Sequence, residues 1–192
     1  MATRDDRTFV HRIDSHNVIV DLNRAWLDFA IENDAPELTR DAVVGRSLWD
    51  FIAGWEVRYI YEAIIRKVRK ERVLIRVPFR CDSPGVRRYM DVDIVSAGRY
   101  DGDIEFRSRI IREEVRLPVD LLKDQVREEG EEILLCSWCK RIKVDGERWS
   151  EAETALGTLR LSHDLSRPRL AHDVCPECRP ILMQATRPSP PL

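Results

Sequence analysis

Two Cys-x-x-Cys pairs, Cys136/Cys139 and Cys175/Cys178, constrain this chain more than any other feature of its sequence. Two cysteines separated by two residues can direct both sulfurs to one ion, and two such pairs complete the tetrahedral four-thiolate shell of structural zinc. Because four protein ligands leave no open position for a reacting water, the pattern is typical of a structural rather than a catalytic site. The spacing predicts one closed four-thiolate metal site, with Zn²⁺ as its ion.

The segment between the two pairs, residues 140–174, must itself contain folded structure, since it is longer than the roughly 15–20 residues of a zinc ribbon. Residues Lys143–Trp149 predict a tight hairpin. Ser150 and Glu153 form a capping-box pattern, which predicts a short helix that ends at Arg160. A unit this small is not stable on apolar burial alone, and metal ligation can contribute roughly 10–16 kcal/mol of apparent binding energy.

Other uses of four cysteines fit less well. Disulfides are disfavoured because the N-terminus shows no signal-peptide pattern, and cytosolic thiols stay reduced. Covalent haem requires a histidine directly after the second cysteine, where Lys140 and Arg179 stand. A rubredoxin-like iron site uses the same ligands and stays open as an alternative.

The remaining candidate ligands are interpreted as supporting or structural groups. His163 and His172 lie near the second pair, but four cysteines already fill the shell. Cys81, the fifth cysteine, is interpreted as a small residue at a strand end.

The composition is that of an ordinary globular protein, with 43% hydrophobic residues, 34% charged residues and a formal net charge of -2. Nothing in this balance steers the chain to nucleic acid or to an anionic membrane. The longest apolar runs, such as Val18–Val20, are far shorter than the roughly 20 residues of a membrane span. We therefore expect a cytoplasmic protein without a membrane segment.

Before the cysteines, the sequence predicts an alternation of helices and strands. A strand over Asn17–Leu22 precedes a helix that is N-capped by Asn23. A short helical turn over Ser47–Ile52 leads to a long amphipathic helix over Glu56–Arg72. Three runs with period-two alternation follow, separated by turn residues, and predict antiparallel hairpins over residues 73–79, 88–96 and 104–110.

This order of elements resembles the PAS fold of bacterial signalling proteins. The resemblance covers about residues 10–115 and rests on four short sequence motifs: Ile13-Asp14, Asn23-x-x-Trp26-x-x-Phe29-Ala30, Val44-Gly45-Arg46-Ser47-Leu48 and Phe79-Arg80-Cys81-Asp82-Ser83-Pro84.

The C-terminal part is similar to a cysteine module that follows PAS or receiver domains in bacterial regulators. The matching residues are Cys136-Ser-Trp-Cys139-Lys140-Arg-Ile142, Asp145-Gly146, Trp149, Glu153 and His172-Asp173-Val-Cys175-Pro176-Glu-Cys178. The chain departs from the family pattern at Ala171 and Asp173, where the family tends to have Ser and Gly. The departure concerns the turn and leaves the metal ligands intact.

Together these resemblances imply an α+β fold: a PAS-like antiparallel sheet with flanking helices, then a linker helix and a small zinc-stabilised module. The expected organisation is an N-terminal tail over residues 1–9, the sensor domain over 10–115, the linker helix over 116–133, the four-cysteine module over 134–182 and a disordered tail over 183–192.

A PAS core typically holds a small cavity between its sheet and helices. The candidate lining residues are Trp26, Trp49, Trp55 and Tyr61, although plain core packing is the favoured interpretation of these four. Flavin and haem are not supported, because the helix before Glu56 has no cysteine and the long helix has no histidine.

No catalytic signature accompanies this pattern, so we expect a non-catalytic bacterial signalling or regulatory protein. The family implies a homodimer through the PAS domain, and we expect a protein-partner surface near Trp138 and Trp149. Two alternatives stay open. One is a zinc-dependent nucleic-acid-binding transcription regulator, although the segment after Cys136 has only a small excess of basic residues. The other is a thiol-based redox switch, since Lys140 and Arg141 flank the thiolates.

Overall fold

The computed structural model describes residues 7–98, 100–122, 132–159 and 169–187, and within them the chain forms two sheets. The first sheet has five antiparallel strands in the order β2-β1-β5-β4-β3. Its strands and helices are β1 (Thr8–Ile13), β2 (Ile19–Leu22), α1 (Arg24–Glu32), α2 (Arg40–Val43), a 3₁₀ turn (Leu48–Asp50), α3 (Trp55–Glu71), β3 (Ile75–Arg80), β4 (Val86–Ser96) and β5 (Ile104–Val115).

The three hairpin strands follow the predicted alternation, because alternate apolar residues on each strand are buried, and Asp93 and Glu105 are buried between such residues. The buried positions include Ile75 and Val77 on β3, Val92 and Ile94 on β4, and Phe106 on β5. The predicted antiparallel pairing of neighbours is confirmed.

Strand β1 is not predicted by the sequence, although it lies in the sheet between β2 and β5. Phe9 and Ile13 are buried, and His11 occupies the inward position between them. The ring of His11 stacks on Phe106 with centroids 4.5 Å apart. A histidine at an inward position interrupts the apolar period that identifies a half-buried strand.

The helices begin and end close to the predicted residues. The side chain of Asn23 accepts a hydrogen bond from the Trp26 amide at 2.9 Å, which confirms Asn23 as the N-cap of α1. Helix α3 buries a stripe formed by Val57, Ile60, Ile64, Ile65 and Val68. This stripe holds α3 against the sheet.

The second sheet has the order β8-β7-β6-β9, and its outer pair β6/β9 is parallel. Its elements are β6 (Glu132–Cys136), β7 (Ile142–Asp145), β8 (Arg148–Ser150), α4 (Ala152–Thr158), β9 (Arg169–Asp173) and α5 (Cys178–Thr186). The predicted hairpin is present as β7 and β8.

The predicted capping box is wrong. Ser150 belongs to β8, and the N-cap of α4 is Glu151, which makes no side-chain cap bond. The carboxylate of Glu153 instead accepts hydrogen bonds from Arg87 at 3.1 Å and Arg116 at 3.0 Å. Since these guanidinium groups take the carboxylate, it does not reach back to the start of the helix.

The boundaries at both ends of the cysteine module also differ from the expectation. The described part of the predicted linker helix contains a 3₁₀ turn at Asp120–Leu122, and Glu132 already begins β6. The rest of that prediction, residues 123–131, lies outside the described residues. Helix α5 continues to Thr186, into the segment predicted as a tail, because buried Leu182 anchors it to the core.

One apolar core joins the two sheets. The cluster that contains Ile64, Ile94 and Phe106 also contains Cys136, Trp138, Val174, Cys175 and Leu182. Helix α5 lies against α3 and β3. The C-terminal module therefore packs on the face of the first sheet that α3 covers. Within the described part of the chain, no helix is long and apolar enough to cross a bilayer.

Candidate metal centre and its contacts

The two cysteine pairs meet because β6 and β9 run parallel. Cys136, the last residue of β6, is in register with Asp173, the last residue of β9. Parallel strands end at the same edge of a sheet, so the turn after each strand arrives at the same place. The first turn carries Cys139, and the second carries Cys175 and leads to Cys178 at the start of α5.

The four sulfurs have the spacing that one ion requires. The Sγ atoms of Cys136, Cys139, Cys175 and Cys178 all lie within 4.8 Å of one another. The Cys139 and Cys175 sulfurs are 3.6 Å apart, and all five cysteines of the chain are free thiols. Zn–S bonds of about 2.3 Å in a tetrahedron place sulfurs about 3.8 Å apart. The donor set therefore fits a tetrahedral four-thiolate ion.

Main-chain contacts hold the first turn in this shape. The Cys136 amide donates to the Arg141 carbonyl at 2.8 Å, and the Lys140 amide donates to the Cys136 carbonyl at 3.0 Å. Lys140 has φ 59, in the left-handed region that closes a tight turn. The Cys175 amide donates to Cys136 Sγ at 3.4 Å, which links the two turns directly.

The electrostatics of the cluster favour a bound cation. Hydrogen bonds from the thiols of Cys139 and Cys178 hold the pKa of Cys136 far below its ordinary value. Hydrogen bonds between Cys178 and the sulfurs of Cys136 and Cys139, together with burial, raise the pKa of Cys178 far above its ordinary value. A divalent cation favours the thiolate form of a coordinating cysteine, so four sulfurs this close together suit a bound cation.

Two of the other candidate ligands, His172 and Cys81, lie outside the four-sulfur cluster. His172 is exposed on β9, with Nδ1 3.3 Å from Ser137 Oγ. Cys81 follows β3 as a half-buried thiol, and His163 lies outside the described residues. Neither His172 nor Cys81 belongs to the cluster found among the described residues.

Trp138, between the two ligands of the first pair, is buried, with 4% of its surface exposed. The expectation of an exposed partner surface at Trp138 is therefore wrong. Its ring stacks on Tyr61 of α3, with centroids 5.4 Å apart. Trp149 is half-buried and packs against the same core. Sequence reasoning missed this, because it treated the module as separate from the sensor domain.

The four aromatic residues proposed to line a ligand cavity lie in different environments. Trp55 is 82% exposed at the start of α3, whereas Tyr61 packs against Trp138. Trp26 packs against the core from α1. Trp49 lines an open pocket of about 500 Å³ beside α3, together with cationic residues such as Arg66. The structure does not bring the four together around this pocket.

A buried ionic cluster joins the module to β3. The guanidinium of Arg80, on a residue 5% exposed, donates to Glu151 at 2.7 Å and also binds Asp82, whose side chain is fully buried. Arg116 Nη1 lies 3.2 Å from the Asp82 carboxylate. Burial by itself would raise the pKa of Glu151. Hydrogen bonds from Arg80 and Arg141 outweigh this effect, so the pKa lies below its ordinary value. The Glu151 carboxylate is thus held ionised.

No protein-family model and no curated protein matches this sequence. Among solved structures, the PAS domain of the RpfR quorum-sensing receptor from Cronobacter turicensis, in complex with BDSF, is similar over 58% of this chain and 100% of its own, at 10% identity and a TM-score of 0.43. A domain of an HTR-like protein from Haloarcula marismortui covers 55% of this chain and 98% of its own, at 17% identity and a TM-score of 0.39.

A sensory box sensor histidine kinase from Vibrio cholerae covers 55% of this chain and 82% of its own, at 10% identity and a TM-score of 0.38. These likenesses concern the fold alone. The predicted class, an α+β fold with an antiparallel sheet, flanking helices and a C-terminal cysteine cluster, is confirmed.

Proposed function

We propose that this protein is a non-catalytic, cytoplasmic bacterial signalling or regulatory protein. Its PAS-like N-terminal unit senses a signal or forms a homodimer, and its C-terminal module folds around one structural Zn²⁺. The observation that carries the proposal is the convergence of four thiols, from two distant segments, to within 4.8 Å of one another. The module they hold shares its core with the N-terminal unit, which supports coupling between the two.

The ligand set supports a structural role for the ion. Cys136 and Cys175 are fully buried, and four protein sulfurs complete a tetrahedral shell. When bound, the ion supplies the cross-link that the small module needs to fold. Iron uses the same ligands. Its thiolate complexes are coloured, so an absorption spectrum of the purified protein separates the two metals.

The placement of the histidines supports a non-catalytic protein. Two serine–histidine contacts occur in the described ranges, Ser15–His16 and Ser137–His172, both at 3.3 Å and both exposed to solvent. A serine nucleophile requires a site that excludes water and carries oxyanion donors. Two solvated surface pairs do not meet that requirement.

The charges of the module favour this proposal over nucleic-acid binding. Its described arginines are engaged in ion pairs with carboxylates of the same chain, so their charge is already neutralised and little remains to bind phosphates. The pairs are Arg141–Glu151, Arg141–Glu177, Arg148–Asp145, Arg169–Glu132 and Arg179–Glu56. A gel shift with genomic fragments tests this alternative. A salt-sensitive shift would support it, and absence of a shift at low salt would remove it.

The redox alternative is favoured by one observation, that Cys139 and Cys178 are only half-buried. A peroxide titration with a zinc-release dye tests it. Release of the metal by mild oxidation would support a switch, whereas retention of the metal would support the structural role.

Native mass spectrometry of the purified protein tests the main proposal in one measurement. We expect one zinc ion per chain and the mass of a dimer. A metal-free chain whose mass indicates two disulfides would overturn the metal site. A monomer at micromolar concentration would overturn the homodimer and leave the zinc module standing.

A further inference from the structure

We infer that metal binding by the four cysteines is thermodynamically linked to the packing of α3. The ion holds residues 136–139 in the conformation that places Trp138 against Tyr61, so loss of the ion releases the contacts that the module makes with this helix. The inference rests on the proposed metal site. It assigns the inner face of α3 and the end of β3 as the docking surface for the chain's own C-terminal module.

The first link is Trp138. It stands between the ligands Cys136 and Cys139, so the ion fixes the backbone on both sides of it. Its buried ring stacks on Tyr61 at 5.4 Å, and Tyr61 in turn lies 6.4 Å from Phe106 of β5. Burial raises the pKa of Tyr61 to about 12, as expected for a phenol enclosed by the module and the sheet. An aromatic stack of this kind contributes to stability beyond the area it buries.

The second link is the end of β3. The Arg80 amide donates to the Trp138 carbonyl at 2.7 Å. Its guanidinium binds Glu151 of the module and Asp82 of its own turn. Buried charges of this kind are stabilising only when every partner is present. Displacement of the module would take Glu151 away from the buried guanidinium of Arg80.

The third link runs along α3. At its start, the backbone of β9 lies so close to Gly54 that a Cβ there would be 3.0 Å from the His172 carbonyl oxygen. Arg179 of α5 binds Glu56 at 3.0 Å, and Lys67 donates to the Ala185 carbonyl at 3.4 Å. The module thus contacts α3 near its start, at its middle and toward its end.

These contacts make the state of α3 depend on the metal. The module is too small to keep its fold without the ion, so removal of the ion takes the module's contacts away from Tyr61, Arg80 and Glu56 together. Linkage is reciprocal: if the metal stabilises the docked state, then contacts on α3 must raise the affinity for the metal by the same factor.

Hydrogen exchange on the full chain tests the first direction. The zinc-loaded protein is compared with the same protein after chelation in reducing buffer. We expect faster exchange in the peptide that covers α3, residues 55–71, and unchanged exchange in α1, residues 24–32, which packs on β1 instead. Equal protection of α3 in the two samples, with loss of zinc verified by mass, would overturn the linkage.

The reciprocal direction is tested at two tyrosines of the same helix. Tyr61→Ala removes the contact with Trp138, and Tyr59→Ala is the matched control, since Tyr59 is 58% exposed. In competition with a chromophoric chelator, we expect Tyr61→Ala to bind zinc at least about fivefold more weakly than the wild type, and Tyr59→Ala to match the wild type. If Tyr61→Ala does not fold, Tyr61→Leu keeps the apolar volume and removes the stack, and the same direction is expected.

The outcomes separate this inference from the metal site itself. Equal zinc affinity in the wild type and in the Tyr61 variants would overturn the linkage and leave the site standing. A wild-type protein that binds no zinc would overturn both.

Discussion

The main-chain amide of Arg80, the last residue of β3, donates a hydrogen bond to the carbonyl oxygen of Trp138 at 2.7 Å. Trp138 lies between two thiols of the candidate metal centre, and Arg80 ends a strand of the first sheet. One hydrogen bond therefore connects the cysteine turn to the first sheet. The side chains of the same two residues are both buried, Arg80 in an ionic cluster and Trp138 on Tyr61. The module is fixed to the sheet at this point by main chain and side chains alike.

Arg80→Ala should destabilise the protein by about 3 kcal/mol, because it removes the cation shared by the fully buried Asp82 side chain and half-buried Glu151. The loss falls at the low end for a broken buried ion pair, since Arg116 and Arg141 still contact these carboxylates. Urea unfolding followed by circular dichroism measures the effect. Arg24→Ala is the control: its side chain is 86% exposed and pairs with Asp28, so a loss of roughly 0.3–0.5 kcal/mol is expected. Equal losses in the two variants would contradict a buried ionic cluster.

Gly54→Ala should weaken docking of the module, because Gly54 has φ 88 and a Cβ there would meet the His172 carbonyl oxygen at 3.0 Å. Gly45→Ala is the matched control. Gly45 has nearly the same φ, 89, but a Cβ at this position would meet no other atom within 4 Å. We expect both to lose about 1–3 kcal/mol from backbone strain, and Gly54→Ala to lose more. Thermal unfolding of both variants measures the difference, and a larger loss at Gly45 would count against the close approach of β9 to α3.

Cys136→Ser should abolish retention of the metal, since it removes one of four thiolates at a fully buried position. The metal content after dialysis against a chelator should fall from one ion per chain in the wild type to near zero in the variant, and the thermal stability should fall with it. Cys81→Ser is the control, because Cys81 is outside the cluster. Loss of metal in Cys81→Ser, or its retention in Cys136→Ser, would show that other residues hold the ion.

His11 predicts a specific pH dependence of stability. Burial lowers the pKa of His11 from its ordinary value of 6.5 to about 4. Since the unfolded chain binds this proton more readily than the folded chain, the contribution is fully present above pH 6.5 and is lost as the pH falls toward 4. The free energy of unfolding should therefore decrease over this window.

The histidine contribution is isolated with two variants. In His11→Leu, the free energy of unfolding should decrease less between pH 6.5 and pH 4 than in the wild type. In His16→Gln it should decrease as in the wild type, since the His16 side chain is 85% exposed. Both variants keep the four cysteines, so the pH dependence of metal binding cancels in the comparison with the wild type. An unchanged slope in His11→Leu would rule out the buried neutral imidazole.

Local patterns in the sequence predicted much of the fold. The inward residues Val77, Val92 and Phe106 follow a period of two, and the buried residues of α3 follow a period of 3.6. Asn23 caps α1 because its short side chain reaches the free amides of the first turn, a property of a few adjacent residues. Each of these signals is contained in a contiguous stretch of chain, so the residues alone are sufficient to recognise it.

The capping-box prediction failed for a reason of the opposite kind. Ser150 and Glu153 have the right spacing, but Glu153 is bound by Arg87 and Arg116, which lie far away in the sequence. A strong charged contact from another element overrides a weaker local preference.

What the sequence determined by itself is the candidate ligand set: two Cys-x-x-Cys pairs predict four sulfur donors for one tetrahedral ion, because the chemistry of metal binding resides in residue type and short spacing. Tertiary structure alone decided that β6 and β9 pair in parallel and bring the two turns together, and that Trp138 is enclosed against Tyr61. Both depend on contacts between segments remote in the chain. The free energy of these contacts depends on which two surfaces pack together, so it cannot be predicted from either segment alone.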